Sequence, residues 1–259
     1  AQIYAQLKGV ELVAAVDAYP ESSAEKMKSF NTPVPVYTTL EEAFEKTDCD
    51  FVDICLPTNL HKCYALTAIE AGKALFCEKP LALSLAEADK IVAAAKAKGT
   101  FAQVGHCIRF WPEYQALMDY HQSGKGGQLL SLNLVRRSGR PAYGVANWLN
   151  DAAQSGGAAL DLHIHDTDFV LALLGEPDSF TSRVTEDFSG PVHVFTHLDY
   201  EGLIVSTEGG WNYPAKWGFQ MTFQALYENA VLDYDSSNEK GLMICEGENE
   251  PQSMEVAKP

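Results

Sequence analysis

The stretch Ala74-Leu75-Phe76-Cys77-Glu78-Lys79-Pro80-Leu81-Ala82-Leu83-Ser84-Leu85-Ala86-Glu87 decides the fold. Four apolar residues are too few for a helix and read as a buried strand. Ser84 and Glu87 then stand at the spacing of a capping box. Leu85, Ala88, Ile91, Val92 and Ala95 follow along one helical face, and Gly99 stops it. Between strand and helix lies a charged pair with a proline behind it. Pro80 fixes the turn, and an X-Pro bond can be cis where a tight turn demands it. That places Lys79 at the carboxyl end of a strand, where open parallel sheets bind their ligands.

The same alternation extends on both sides. Leu12–Val16 is an apolar run ending at Asp17, residues 20–30 look helical, and Thr39 with Glu42 caps a helix over 39–46. Phe51–Leu56 reads as a strand stopped by Pro57, and Thr58 or Asn59 caps a helix that runs to Gly72. Phe101–Val104 closes the series. Strands and helices alternating in this way predict a parallel sheet with helices on both faces.

After about residue 105 the pattern changes to longer alternating runs at 129–135, 192–200, 203–208, 218–226 and 230–234. Turns such as Glu201-Gly202 join them, and one helix over 161–174 is set among them. This predicts an α+β second domain with a large, mostly antiparallel sheet. The expected domains are therefore 1–104 and 105–259. The 259 residues, 46% of them hydrophobic, suffice for either one large core or two smaller ones.

Net charge is −16 and spread along the chain, which argues against nucleic acid or an anionic membrane as partner. No apolar run reaches the roughly 20 residues of a membrane span. Six cysteines without a C-x-x-C pair read as reduced core thiols of a cytoplasmic protein, with Cys77 or Cys107 as the candidate reactive thiol.

Asp17, ending a strand, suits an acid that hydrogen-bonds a ribose 2′-hydroxyl about 20 residues after a glycine fingerprint. That count runs off the front of the chain. Residues 1–9 read as the end of a helix stopped by Gly9, so the first strand and its G-x-G-x-x-G loop are expected to lie outside this sequence. A second cluster is Gly156-Gly157-Ala158-Ala159-Leu160-Asp161-Leu162-His163-Ile164-His165-Asp166-Thr167-Asp168. On a helix Asp161 and His165 share a face, Asp168 continues it, and His163 points elsewhere. Three readings stay open on these residues alone: a His–Asp proton-transfer pair, a polar face with a satisfied histidine, or a metal site, the last disfavoured because the spacing scatters the ligands.

Taken together, Asp17 after a strand, CLPTNLH at 55–61, AGKALFCEKPLALSLAEA at 71–88, VGHCIRFWPEY at 104–114 and SGGAALDLHIHDTD at 155–168 resemble the Gfo/Idh/MocA oxidoreductases, the glucose–fructose oxidoreductase and inositol dehydrogenase family. The resemblance implies a Rossmann-type NAD(P)-binding domain and a carboxyl-terminal domain whose open sheet makes homodimer or homotetramer contacts. It also implies hydride transfer between nicotinamide and a secondary hydroxyl of a sugar, cyclitol or polyol. Carried over by position, Lys79, Asp161 and His165 are the expected catalytic residues. Asp17, Pro57, Thr58, Asn59, His61, Glu78 and Lys79 are expected to line NAD, with Asp17 disfavouring NADP. Arg109, Trp148 and His106 are expected on the substrate side, with no metal. Two departures stand out: the glycine fingerprint is absent, and the sequence stops short of the family's closing helix and strand. An NAD-dependent glycosidase of the same fold and a non-catalytic NAD(P) sensor remain as alternatives.

Overall fold

Side-chain capping fixes two helix starts of the first half; the helix Pro20–Ser29 starts on a proline without a side-chain cap, and the helix Thr58–Glu70 begins at Thr58 itself, so neither Thr58 nor Asn59 stands before it as the cap. In the computed structural model, which describes residues 2–256, Thr39 accepts from the Glu42 amide and Ser84 from the Glu87 amide. The elements are β1 (Ala15–Val16), α1 (Pro20–Ser29), β2 (Val36–Tyr37), α2 (Leu40–Lys46), β3 (Phe51–Ile54), α3 (Thr58–Glu70), β4 (Ala74–Glu78), α4 (Leu85–Lys98) and β5 (Ala102–Gly105). By their contacts, Ala1–Leu56 and Leu60–Val104 form one unit, while Pro57–Asn59 and Gly105–Pro259 form the other.

The first unit's sheet is in two pieces. β1 pairs with β2 in parallel, and β3-β4-β5 form a second sheet whose β3–β4 pair is parallel. The apolar run at 12–16 is strand only at its last two residues, and β2 was not anticipated. Ile54, Leu75 and Cys77 share a core with Ala65, Ala68 and Ile69 of α3 and Ile91 and Ala95 of α4. Both helices therefore lie on one face of the larger sheet. The opposite face carries Phe51 and Asp53, against which Tyr4 packs its ring (centroids 6.0 Å apart) and hydrogen-bonds (2.7 Å). The expected helix end over residues 1–9 is a short 3-10 turn at Tyr4–Gln6.

The second unit holds α5 (Pro112–Ser123), β6 (Leu129–Gly139), α6 (Ala152–Ser155), α7 (Ile164–Leu174), β7 (Ser179–Asp187), β8 (Gly190–Tyr200), β9 (Leu203–Tyr213), β10 (Phe219–Tyr227), β11 (Ala230–Asp235), β12 (Leu242–Glu246) and β13 (Gln252–Ser253). Its eight-stranded sheet has the order β13-β12-β11-β10-β6-β9-β8-β7. Every neighbouring pair in it is antiparallel except β6 with β9, which is parallel. One face is apolar: Leu132, Leu134, Val205, Phe223 and Leu232 pack under Tyr114 and Leu117 of α5 and Phe169 and Val170 of α7. The other face is mostly polar, laced by cross-strand pairs such as Asn133–Ser206 (2.6 Å) and Gln224–Asp233 (3.0 Å), with the exposed apolar residues Phe195, Ile204 and Leu226 set among them.

The helix expected over 161–174 is α-helical only from Ile164. Ala159–His163 forms a π-turn that leads into α7.

Candidate active site

In the first unit the predicted residues gather at the carboxyl ends of strands. Asp17 follows β1, and its amide bonds the Tyr37 carbonyl (3.0 Å). Its carboxylate accepts from the Tyr19 amide and the Ser23 hydroxyl, both at 2.7 Å. Each oxygen keeps a further lone pair, so the group is held in place yet still able to accept. Glu78 ends β4, Lys79 follows it, half-buried, and the Lys79–Pro80 peptide is cis, the isomer the turn was expected to admit.

His61 has a different role from the one expected. It is 1% exposed, with Nδ1 2.7 Å from the Pro80 carbonyl and Nε2 2.8 Å from the Leu56 carbonyl. A ring with both nitrogens committed to backbone has no polar atom left for a cofactor. It ties the end of β3 to the Lys79-Pro80 turn instead. Thr58 is also buried, Pro57 is half-buried and Asn59 is exposed. Cys77 is not the reactive thiol: it has no exposed surface, and burial, reinforced by Glu78 and Asp53, pushes its pKa up to about 12. Cys107 is exposed.

In the second unit Asp161 sits within the π-turn and His165 in the first turn of α7, both half-buried. Two arginine forks fix this helix. Asp166 receives Nε and Nη2 of Arg136 at 3.0 and 2.9 Å, with both side chains buried. The Arg136 guanidinium also reaches the Tyr114 hydroxyl at 3.3 Å. Asp168 receives Nε and Nη2 of Arg109 at 2.7 and 2.5 Å, and His106 Nδ1 lies 3.5 Å away. The guanidinium expected to face substrate is thus forked onto Asp168, which sequence spacing alone had placed with Asp161 and His165. His163 points away from that pair, as expected, into the sheet.

Trp148 is half-buried in a 3-10 segment, against Gly144: a Cβ added there would stand 3.0 Å from its indole nitrogen. The same loop carries a group that sequence reading missed. Tyr143 is 71% exposed, yet partial burial and then the negative charge of Asp161 raise its phenol pKa. Arg136 and Asp166 were missed too. The only signal for them was a charged residue in each of two otherwise apolar faces.

The donor set suits the ribose and nicotinamide ends of a dinucleotide. Asp17 offers an acceptor-only carboxylate for a diol, and Lys79 offers a cation at the carboxyl end of β4. Two domain descriptions of one family match the chain: the oxidoreductase family with NAD-binding Rossmann fold over residues 1–106, and the GFO/IDH/MocA carboxyl-terminal domain over 114–232. The chain belongs to the Gfo/Idh/MocA family. Its amino-terminal fold is an NAD-binding one. Among Gfo/Idh/MocA relatives, inositol 2-dehydrogenase of Rhizobium meliloti is 29% identical over 257 residues, which is 95% of this chain and 71% of that protein. Myo-inositol 2-dehydrogenase of Thermotoga maritima is 28% identical over 64% of this chain and 48% of its own length. The chain thus spans less than three quarters of the first and under half of the second. Levoglucosan dehydrogenase in complex with NADH and levoglucosan shares the fold, with a TM-score of 0.80 at 22% identity, covering 93% of this chain and 68% of that one.

Proposed function

We propose that this member of the family is an NAD-dependent dehydrogenase acting on a secondary hydroxyl of a sugar, cyclitol or related polyol. The observation that carries the reading is Lys79, held by the clamped turn at the carboxyl end of β4. The names of the relatives, inositol dehydrogenases among them, support the substrate class.

NAD, when bound, accepts or returns the hydride. The chain's own groups do the rest. His165 takes the hydroxyl proton as general base, and Asp161 orients substrate or imidazole. Lys79 stabilises negative charge on the oxygen as the carbonyl develops. Asp17 bonds the adenosine ribose, and its charge repels the 2′-phosphate of NADP. Pro57, Thr58, Asn59 and Glu78 line the cofactor, and His61 positions Lys79 from beneath. On the substrate side, Trp148 is joined by Tyr143, while Arg109 and His106 act through Asp168. The mostly polar open face of the second unit's sheet is assigned to self-association as a homodimer or homotetramer. The absence of disulfides among the described cysteines supports a cytoplasmic location. Among the described residues no helix is long and apolar enough to cross a membrane.

The test is NADH formation against a panel of aldoses, polyols and inositols, with Lys79→Met alongside. A substrate oxidised by the wild type and not by the variant is the expected result. Near-wild-type turnover by a folded Lys79→Met would remove the lysine from the chemistry. Hydrolysis of an aryl glycoside with no net NADH would replace the dehydrogenase with a glycosidase.

A further inference from the structure

His163 is a buried histidine that the proposed chemistry does not use. It closes the π-turn, two residues from each of Asp161 and His165. Its ring is 5% exposed, and Nε2 lies 2.9 Å from the Thr207 hydroxyl and 3.4 Å from the Thr207 carbonyl on β9. Two residues along the same strand is Gly209. A Cβ added there would stand 2.8 Å from the His163 Cβ and 2.9 Å from its Cα, closer than real Cβ atoms come. The helix backbone therefore touches the strand at a place only glycine permits.

The surroundings hold the helix on both sides of this contact. Upstream, Ala158 and Leu162 pack with Val192 and Trp211, and an added Cβ on Gly157 would stand 2.5 Å from the Pro191 carbonyl. Downstream, Asp166 is forked by Arg136, and Phe169 and Val170 are fully buried in the main core. A helix fixed at both ends cannot rotate to absorb a surplus residue, so the surplus stays as a widened turn. π-turns of this kind are rare and costly, and they gather at functional sites. Here the widened turn contains Asp161 and immediately precedes His165.

We propose that His163, Thr207 and Gly209 form a seat that sets the position of Asp161 relative to His165, making them positioning residues for proton transfer. This rests on the reading of Asp161 and His165 as the proton-transfer pair. Gly209→Ala pushes the turn off β9. Thr207→Val removes the hydroxyl partner of His163 while keeping the shape, and Thr207→Ser restores the hydroxyl.

The experiment has two arms. In the first, NMR titration of the His165 imidazole, assigned by its loss in His165→Asn, is followed in each variant. A displaced Asp161 shifts that titration in Gly209→Ala and Thr207→Val, and Thr207→Ser titrates as wild type. In the second, kcat and KM are measured on whichever polyol the wild type oxidises. Gly209→Ala is expected to lose about 100-fold in kcat, the scale of a misplacement near 1 Å. KM for NAD should hold, since the cofactor residues stand on other elements. A merely structural role would lower the melting temperature and leave the titration in place, and that result overturns the proposal. Should Gly209→Ala fail to fold, the Thr207→Val and Thr207→Ser pair decides. Should the wild type oxidise no polyol, the dehydrogenase reading falls, while the titration arm still decides the seat.

Discussion

Cys77 shows how far a single side chain departs from its type. Burial pushes its pKa up to about 12, so the thiol stays protonated at pH 8. The exposed Cys63 and Cys107 are expected to be alkylated by iodoacetamide at pH 8 in the native protein, with Cys77 left unmodified until denaturant is added. Mass mapping of the labelled peptides is the check, and native labelling of Cys77 at the rate of Cys63 would contradict its burial. The sequence made Cys77 legible as a core residue through its apolar run but not its inertness, which follows first from complete burial in the fold and then from the charges of the neighbouring Glu78 and of Asp53 on the adjacent strand. The same holds for His61. Its motif position pointed to the cofactor, while its ring direction follows from two carbonyls, one of them 19 residues away, that only the folded chain brings near. Lys79 was readable because the signals that place it are local, a strand before and a proline after; the His61 clamp on its turn was not.

At the scale of the element, the Arg136–Asp166 pair ties α7 to β6 within an otherwise apolar layer. Removing one partner strands a buried charge. Arg136→Met is expected to cost about 3–5 kcal/mol in unfolding free energy. The double variant Arg136→Met with Asp166→Leu should regain much of that, because both charges are then gone. Urea unfolding of the three proteins distinguishes this from simple packing loss, for which the double variant would be the least stable. The helix itself was legible from its apolar spacing and the glycine that ends it. The π-turn was not: nothing in ALDLH distinguishes it from an ordinary turn, and its contacts with Thr207 and Gly209 come from more than 40 residues away. β7 was missed for a related reason. As an edge strand it is exposed along its whole length, so its sequence lacks the alternation that burial of one face imposes.

For the whole molecule, the change of texture near residue 105 marked the passage from parallel to mostly antiparallel sheet, because helix-covered strands and one-sided strands differ in composition. The open face was legible as polar positions alternating with apolar ones. Which partners meet on it was not, since Asn133 and Ser206 are brought together only by strand order. That order contains the parallel β6–β9 pair, joined by everything from the loop of Trp148 through the π-turn, α7, β7 and β8. A parallel pair cannot be closed by a hairpin, and here the paired residues are 73 positions apart. Closing so long a loop costs entropy before any contact rewards it, so β6–β9 pairing belongs late in folding and the β10–β11 hairpin early. Val205→Ala on β9 should then have a φ-value near zero and Phe223→Leu on β10 a high one, as read from stopped-flow folding and unfolding rates. The elements that carry Asp161 and His165 lie inside that long connection. They would be among the last parts of the chain to find their places, and a nascent protein would gain the proton-transfer pair proposed for it only at the end of its folding.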